Sequence, residues 1–303
     1  MSSQRRKYST LPRLMKRDIV IAGGPYSRSV EAFNTETTKW RRLSQMNRQR
    51  HAASSVVYQG RIIVTGGLRG PEDANIDVEA LVEINGDWTE GPRLRLQNIF
   101  SHVCLVYRGR LLVIGGQFQE DGVSNEIRQI RLTEPYETVR STTMPQAICY
   151  HGAVNIGKTV YIIGGTTTGH HSGATSTVRT FNAETGNFEQ LKPLQYAVSE
   201  MATVMWYDNV FVIGGKNSEG HAINTVMMYN VTSKTWRSRS AMASRRSGCT
   251  AVTINDSIMV MGGLGDENAR TSVEVYNCLT DTWANEPEAM AEPRAYANAV
   301  KYP

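Results

Sequence analysis

RLLVIGG at residues 110–116 is one of six copies of a single idea, the others being DIVIAGG at 18–24, RIIVTGG at 61–67, TVYIIGG at 159–165, NVFVIGG at 209–215 and SIMVMGG at 257–263. Each is a short apolar run closed by a glycine pair: Gly23-Gly24, Gly66-Gly67, Gly115-Gly116, Gly164-Gly165, Gly214-Gly215 and Gly262-Gly263. The pairs recur at intervals of 43, 49, 49, 50 and 48 residues, a period that belongs to repeat architectures. A run apolar at every position, too short for a helix, reads as a strand covered on both faces.

Working outward from the pairs, an aromatic follows each at sixteen to twenty-three residues: Trp40, Trp88, Tyr136, Phe188, Trp236 and Trp283. In four repeats a second aromatic, followed by asparagine, stands seven residues earlier: Phe33-Asn34, Phe181-Asn182, Tyr229-Asn230 and Tyr276-Asn277. That spacing makes a strand, a polar turn and another strand. Ahead of every pair but the first lies a further strand, joined by turn residues such as Gln59-Gly60, Arg108-Gly109 or Asn255-Asp256. Each repeat is therefore four antiparallel strands, a to d.

The glycine pair, the aromatic-Asn and the later tryptophan resemble the kelch repeat over residues 18–303. The resemblance implies an all-β, six-bladed β-propeller, one blade per repeat. Physical reasoning agrees, because a four-stranded meander buries both faces only when neighbouring meanders cover them. Alanine at Trp236 or Trp283 is expected to cost roughly 3–5 kcal/mol, the usual figure for a buried tryptophan. Repeat two reads as losing about three residues between strands c and d, and repeat three has Tyr136 with no aromatic-Asn. The stretch Arg294–Tyr302 aligns with strand a but lacks a strand b, so the C-terminus is expected to complete blade one and close the ring.

Charge divides the chain into a basic tail, residues 1–17, and the propeller, 18–303. The tail carries six basic side chains (Arg5, Arg6, Lys7, Arg13, Lys16, Arg17) and no acidic one; without them the total of 33 basic residues falls to 27, against 28 acidic. A neutral body speaks against nucleic acid as a partner, since tracking phosphates needs excess charge on the folded surface. No apolar run is long enough for a membrane helix, and the tail has no apolar core of a secretory signal, so a cytoplasmic location is expected. Cys104, Cys149, Cys249 and Cys278 are widely spaced within apolar runs, as buried thiols are.

In this topology the a–b and c–d turns share one face and the b–c and d–a loops the other. The b–c loops are long and differ in every repeat, the usual place for binding. The residue sixteen before each glycine pair stands at the entry to strand a: Arg50 and Arg246 in blades two and six, joined by Arg294 in blade one through alignment of the C-terminal stretch, and Ile99, Ile148 and Val198 in blades three to five, with Phe100 and Tyr150 adjacent. This reads as a mouth half cationic and half apolar, fit for a protein or peptide with acidic and hydrophobic groups. In proteins resembling this one, arginines at the mouth grip acidic motifs.

No catalytic residue, metal site or cofactor is expected. The formal P-loop match from Gly152 through Gly157-Lys158-Thr159 sits in a hairpin rather than opening a helix. His170-His171 and His221 lack metal-site spacing, while His102 and His151 share one strand position. The closest functional resemblance is to the kelch domains of BTB-BACK-kelch proteins, substrate adaptors of cullin-RING ubiquitin ligases. An actin-binding kelch protein is the alternative, and a kelch-fold enzyme such as a mutarotase or oxidase comes third.

Overall fold

The glycine-terminated runs form the second strand of six four-stranded antiparallel sheets in the computed structural model, which describes residues 18–68, 78–92, 94, 96, 98–119 and 122–302. The basic tail at 1–17 lies outside the described residues, as does most of the b–c loop of blade two. In blade four, taken as the type, strands a to d are Gly152–Ile156, Thr159–Ile163, Val178–Asn182 and Phe188–Gln190. Strand b is buried along almost its whole length in every blade because both of its faces meet other blades. Among the described residues the buried apolar side chains fall into six clusters, one at each junction between adjacent blades.

The ring closes as expected. Strand a of blade one is Asn298–Tyr302, paired with Asp18–Ala22 from Asp18 opposite Tyr302 to Ala22 opposite Asn298. Each strand a also contacts the strand a on either side of it.

Two circuits of backbone hydrogen bonds join the blades. In the first, the second glycine of each pair donates to the carbonyl of the strand-a entry residue of the next blade, from Gly24 to Arg50 at 3.0 Å round to Gly263 to Arg294 at 2.8 Å. The first glycine, in the left-handed region, lies so close to that carbonyl that a Cβ on Gly66 would stand 2.1 Å from the Ile99 oxygen. The second circuit runs nearer the axis. The N–H of Ser101 donates to Ala52 O, Tyr150 to Ser101, Glu200 to Tyr150, Gly248 to Glu200, Tyr296 to Gly248 and Ala52 to Tyr296, over 2.7–3.1 Å. All six residues have φ between 50° and 61°, a conformation uncommon for side chains other than glycine.

The aromatic signature pairs across strands c and d, with Phe33–Trp40, Phe181–Phe188, Tyr229–Trp236 and Tyr276–Trp283 at 5.0–5.1 Å between centroids. The asparagine after the first aromatic turns the chain: Asn34 Oδ1 accepts from the N–H groups of Glu36 and Thr37, and Asn277 Oδ1 from those of Leu279 and Thr280. Each indole crosses to the preceding blade, as Trp236 Nε1 does in donating to Lys192 O at 2.9 Å.

Three expectations need correction. Trp40, Trp236 and Trp283 are half-buried rather than buried, which moves the cost of their removal toward about 3 kcal/mol. Repeat two has lost nothing between strands c and d, because Leu81 pairs with Trp88 at the spacing of Phe33 and Trp40; leucine has replaced the first aromatic. Tyr136 lies in the c–d turn of blade three. Thr138 holds the position opposite Ile130, after a bulge at Gln129/Ile130.

Candidate functional site

The entry residues of strand a lie beneath the b–c and d–a face. Arg50, Arg246 and Arg294 are 0%, 0% and 1% exposed. They are not free to grip a ligand, and the expectation of a cationic mouth built from them is corrected. Each pairs with a buried glutamate at the second position of strand c in its own blade: Arg50 Nε with Glu79 at 2.9 Å, Arg246 with Glu274 at 3.0 Å and Arg294 with Glu31 at 2.8 Å. Each also donates through Nη1 to the carbonyl of the first glycine of that blade, Gly66, Gly262 or Gly23.

The glutamates complete the device by accepting from the backbone of the d–a linker, Glu79 from Asn47 and Arg48, Glu274 from Ala243 and Ser244, Glu31 from Ala291 and Glu292. A fully desolvated ion pair is tolerable only when its remaining donors and acceptors are satisfied, and this one ties linker, strand c and glycine pair together. The apolar half of the expected mouth is core as well: Ile99, Ile148, Val198 and Phe100 are buried.

Blades three to five carry Arg128, Arg179 and Met227 where the glutamates stand elsewhere. Arginine at the entry therefore occurs with glutamate in strand c, and an aliphatic entry residue without it. That internal covariation was available in the sequence and identifies the arginines as scaffold.

Tyr150 alone of the expected contact residues reaches the channel. It lines a cavity of about 110 Å³ on the axis with Tyr296, Glu200, Ser101, His102 and His151 among others. Gly248 is glycine because the Tyr296 ring lies over it, 2.9 Å from where a Cβ would be. The Tyr296 hydroxyl donates to Glu200 Oε2 at 2.5 Å, and Lys216 Nζ donates to Glu200 Oε1 at 2.9 Å. Burial, reinforced by the Glu200 carboxylate, pushes the Tyr296 phenol up and keeps it a donor. His51 packs on Tyr296 at 4.7 Å.

His102 and His151 behind this ring are held neutral by burial, at about 3 and about 4. Both values lie below that of a free histidine, so the unfolded chain binds protons that the folded one does not. Stability is then full above pH 6.5 or so and falls as the pH drops toward 4, by about 1 kcal/mol per pH unit for each histidine. Thermal unfolding followed from pH 7.5 to 5 should show this loss, and His151→Gln should flatten the slope; an unaltered slope contradicts the assignment.

The exposed groups on this face are others. Tyr26, in the b–c loop of blade one, is 81% exposed, and Arg28 beside it is exposed. In blade six Arg270 is exposed, and Arg245 forms an exposed pair with Asp266 at 2.8 Å. The loops bearing them are braced by the buried pairs, since Arg294 N–H donates to Arg270 O, Arg294 Nη1 to Ser29 O and Arg50 N–H to Ser27 O.

Other candidate chemistry is placed plainly. The formal P-loop segment is strand a, turn and strand b of blade four. His170 and His171 stack at 3.9 Å in a loop, and among the described residues no three histidine, cysteine or acidic side chains are grouped to hold a metal. Burial pushes the thiols of Cys104 and Cys149 up to about 12 and those of Cys249 and Cys278 to about 11, so all four are protonated at neutral pH. No helix among the described residues is long and apolar enough to cross a membrane.

Comparison with known proteins agrees with the repeat. The KLHDC2/KLHL20/DRC7 kelch-repeats domain matches residues 150–301. Kelch-like protein terF of Aspergillus terreus is 26% identical over 302 residues, 90% of this chain and 65% of its own length. Kelch-like protein 40 of Mus musculus is 25% identical over 66% of this chain and 33% of its own length. The chain thus spans just under two thirds of the first relative and a third of the second. The structure described as "Structure of YjhT" matches with a TM-score of 0.73 at 14% identity, over 84% of this chain and 88% of that one, which shows a shared fold. With the kelch-repeats domain matched over residues 150–301, half of the chain, and six glycine-paired blades closed by the C-terminal strand, the chain belongs to the kelch-repeat family.

Proposed function

We propose that the chain is a non-catalytic protein-interaction module that holds a peptide segment of another protein against its b–c and d–a face, as the substrate adaptors of cullin-RING ubiquitin ligases do. The observation that carries this reading is the 81% exposure of Tyr26, next to Arg28 and on the same face as Arg270. Tyrosine and arginine are the residue types that most often anchor protein interfaces, and here they project from loops that buried ion pairs hold in place. Protonated thiols and the kelch-like relatives support a binding role over catalysis.

An acidic and hydrophobic peptide remains the ligand class, with the arginine contacts reassigned from the buried trio to Arg28, Arg245 and Arg270. Affinity capture from cell lysate, comparing the wild-type chain with a Tyr26→Ala, Arg28→Ala, Arg270→Ala variant of equal stability, tests it. Partners lost from the variant support the reading. Identical captures overturn it.

A further inference from the structure

A second cavity, of about 410 Å³, lies between blades four and five, away from the axial channel. Tyr161, Thr180 and Tyr229 line it and are 7%, 9% and 2% exposed. None of their three hydroxyls has a hydrogen-bond partner among the described residues, and each opens to the cleft rather than being sealed in the core.

The neighbouring junction shows what is different. There Phe211 occupies the place of Tyr161, and Tyr276, the counterpart of Tyr229, donates to Asp281 Oδ1 at 2.6 Å. Blade five has Lys234 where blade six has Asp281, so Tyr229 has lost its acceptor, and tyrosine in place of phenylalanine adds a second hydroxyl. The Tyr161 and Tyr229 rings are 6.2 Å apart. Glu189 stands on the blade-four wall and Lys234 on the other.

We propose that this cleft binds a saccharide. A hydroxyl both donates and accepts, so three of them are best matched by ligand groups that do the same, which are alcohols. The Glu189 carboxylate accepts from further hydroxyls. One carboxylate and one ammonium leave the wall without net charge, which suits a neutral ligand. The volume falls in the range of small-molecule sites.

The ligand can be a free sugar or a glycan carried by a protein, and saturation-transfer NMR on the purified chain separates them. The probes are glucose, galactose, mannose and N-acetylglucosamine, a glycopeptide ending in N-acetylhexosamine, and the same peptide without its sugar. Transfer to a free sugar assigns the first source, and transfer to the glycopeptide alone assigns the second. In either case Tyr161→Phe with Tyr229→Phe should reduce the response at least fivefold. The variant should unfold at or above the wild-type temperature because no protein hydrogen bond is lost, whereas Tyr276→Phe should unfold lower. Silence from every sugar, an equal response from the bare peptide, or an undiminished signal in the double variant overturns the proposal.

Discussion

Arg246→Ala is expected to lower the unfolding free energy by about 3–5 kcal/mol, the cost of leaving one partner of a buried ion pair alone. Glu274 would remain 1% exposed with its carboxylate facing the vacated space, and the carbonyls of Gly262, Ala269 and Ser272 would lose their donor. The adjacent Arg245 provides the control. Its pair with Asp266 is exposed, and such pairs contribute about 0–1 kcal/mol. Urea denaturation of both variants should therefore separate them by about 2 kcal/mol or more. Adding Glu274→Ala to Arg246→Ala should cost less than the two separate losses combined, since the partners act as a unit. A loss below about 1 kcal/mol for Arg246→Ala would mean that the arginine is not part of the scaffold.

The second large effect concerns the glycine pairs. In Gly66→Ala the new Cβ would meet the Ile99 carbonyl at 2.1 Å and His102 Cε1 at 2.7 Å, in a backbone with φ of 59°. Left-handed strain of about 1–2 kcal/mol and overpacking of about 1–3 kcal/mol then act together, and the bond from Gly67 N–H to Ile99 O is pushed apart. Gly60→Ala isolates the first cost. Its φ is 74°, but nothing lies within 4 Å of the added carbon, so only the conformational penalty of about 1–2 kcal/mol is expected. Equal destabilisation of the two would show that close approach between blades is not what the pair provides.

The fold was legible because it repeats. Strand b announces itself by being apolar on both faces, the glycine pair marks its end, and Arg294–Tyr302 aligns with strand a of the other repeats, within which Asn298–Tyr302 pairs with Asp18–Ala22. The exceptions arose where one repeat departs from the others and spacing alone had to decide. Tyr136 was aligned by distance from Gly116, but a bulge in blade three shifts the register and puts Thr138 opposite Ile130.

The site was less legible, for a physical reason. Position along a strand tells which end of the blade a residue occupies but not whether its side chain turns inward, and an arginine at the entry to strand a does turn inward when a glutamate waits in strand c. The pairing of Arg50 with Glu79 and of Arg294 with Glu31 could have been found by comparing the repeats column by column. Tyr26, Arg28 and Arg270 carried no such signal, because exposure of a loop side chain follows from how the loop lies on its neighbours.

Hydrogen–deuterium exchange of the full chain with and without a captured partner tests most directly where that partner sits. The account predicts slowed exchange in the loops at residues 24–29 and 264–272, on the b–c and d–a face, with the a–b and c–d turns unchanged. Slowing confined to those turns, such as 207–208 and 278–281, would contradict it and move the interface to the opposite side of the propeller.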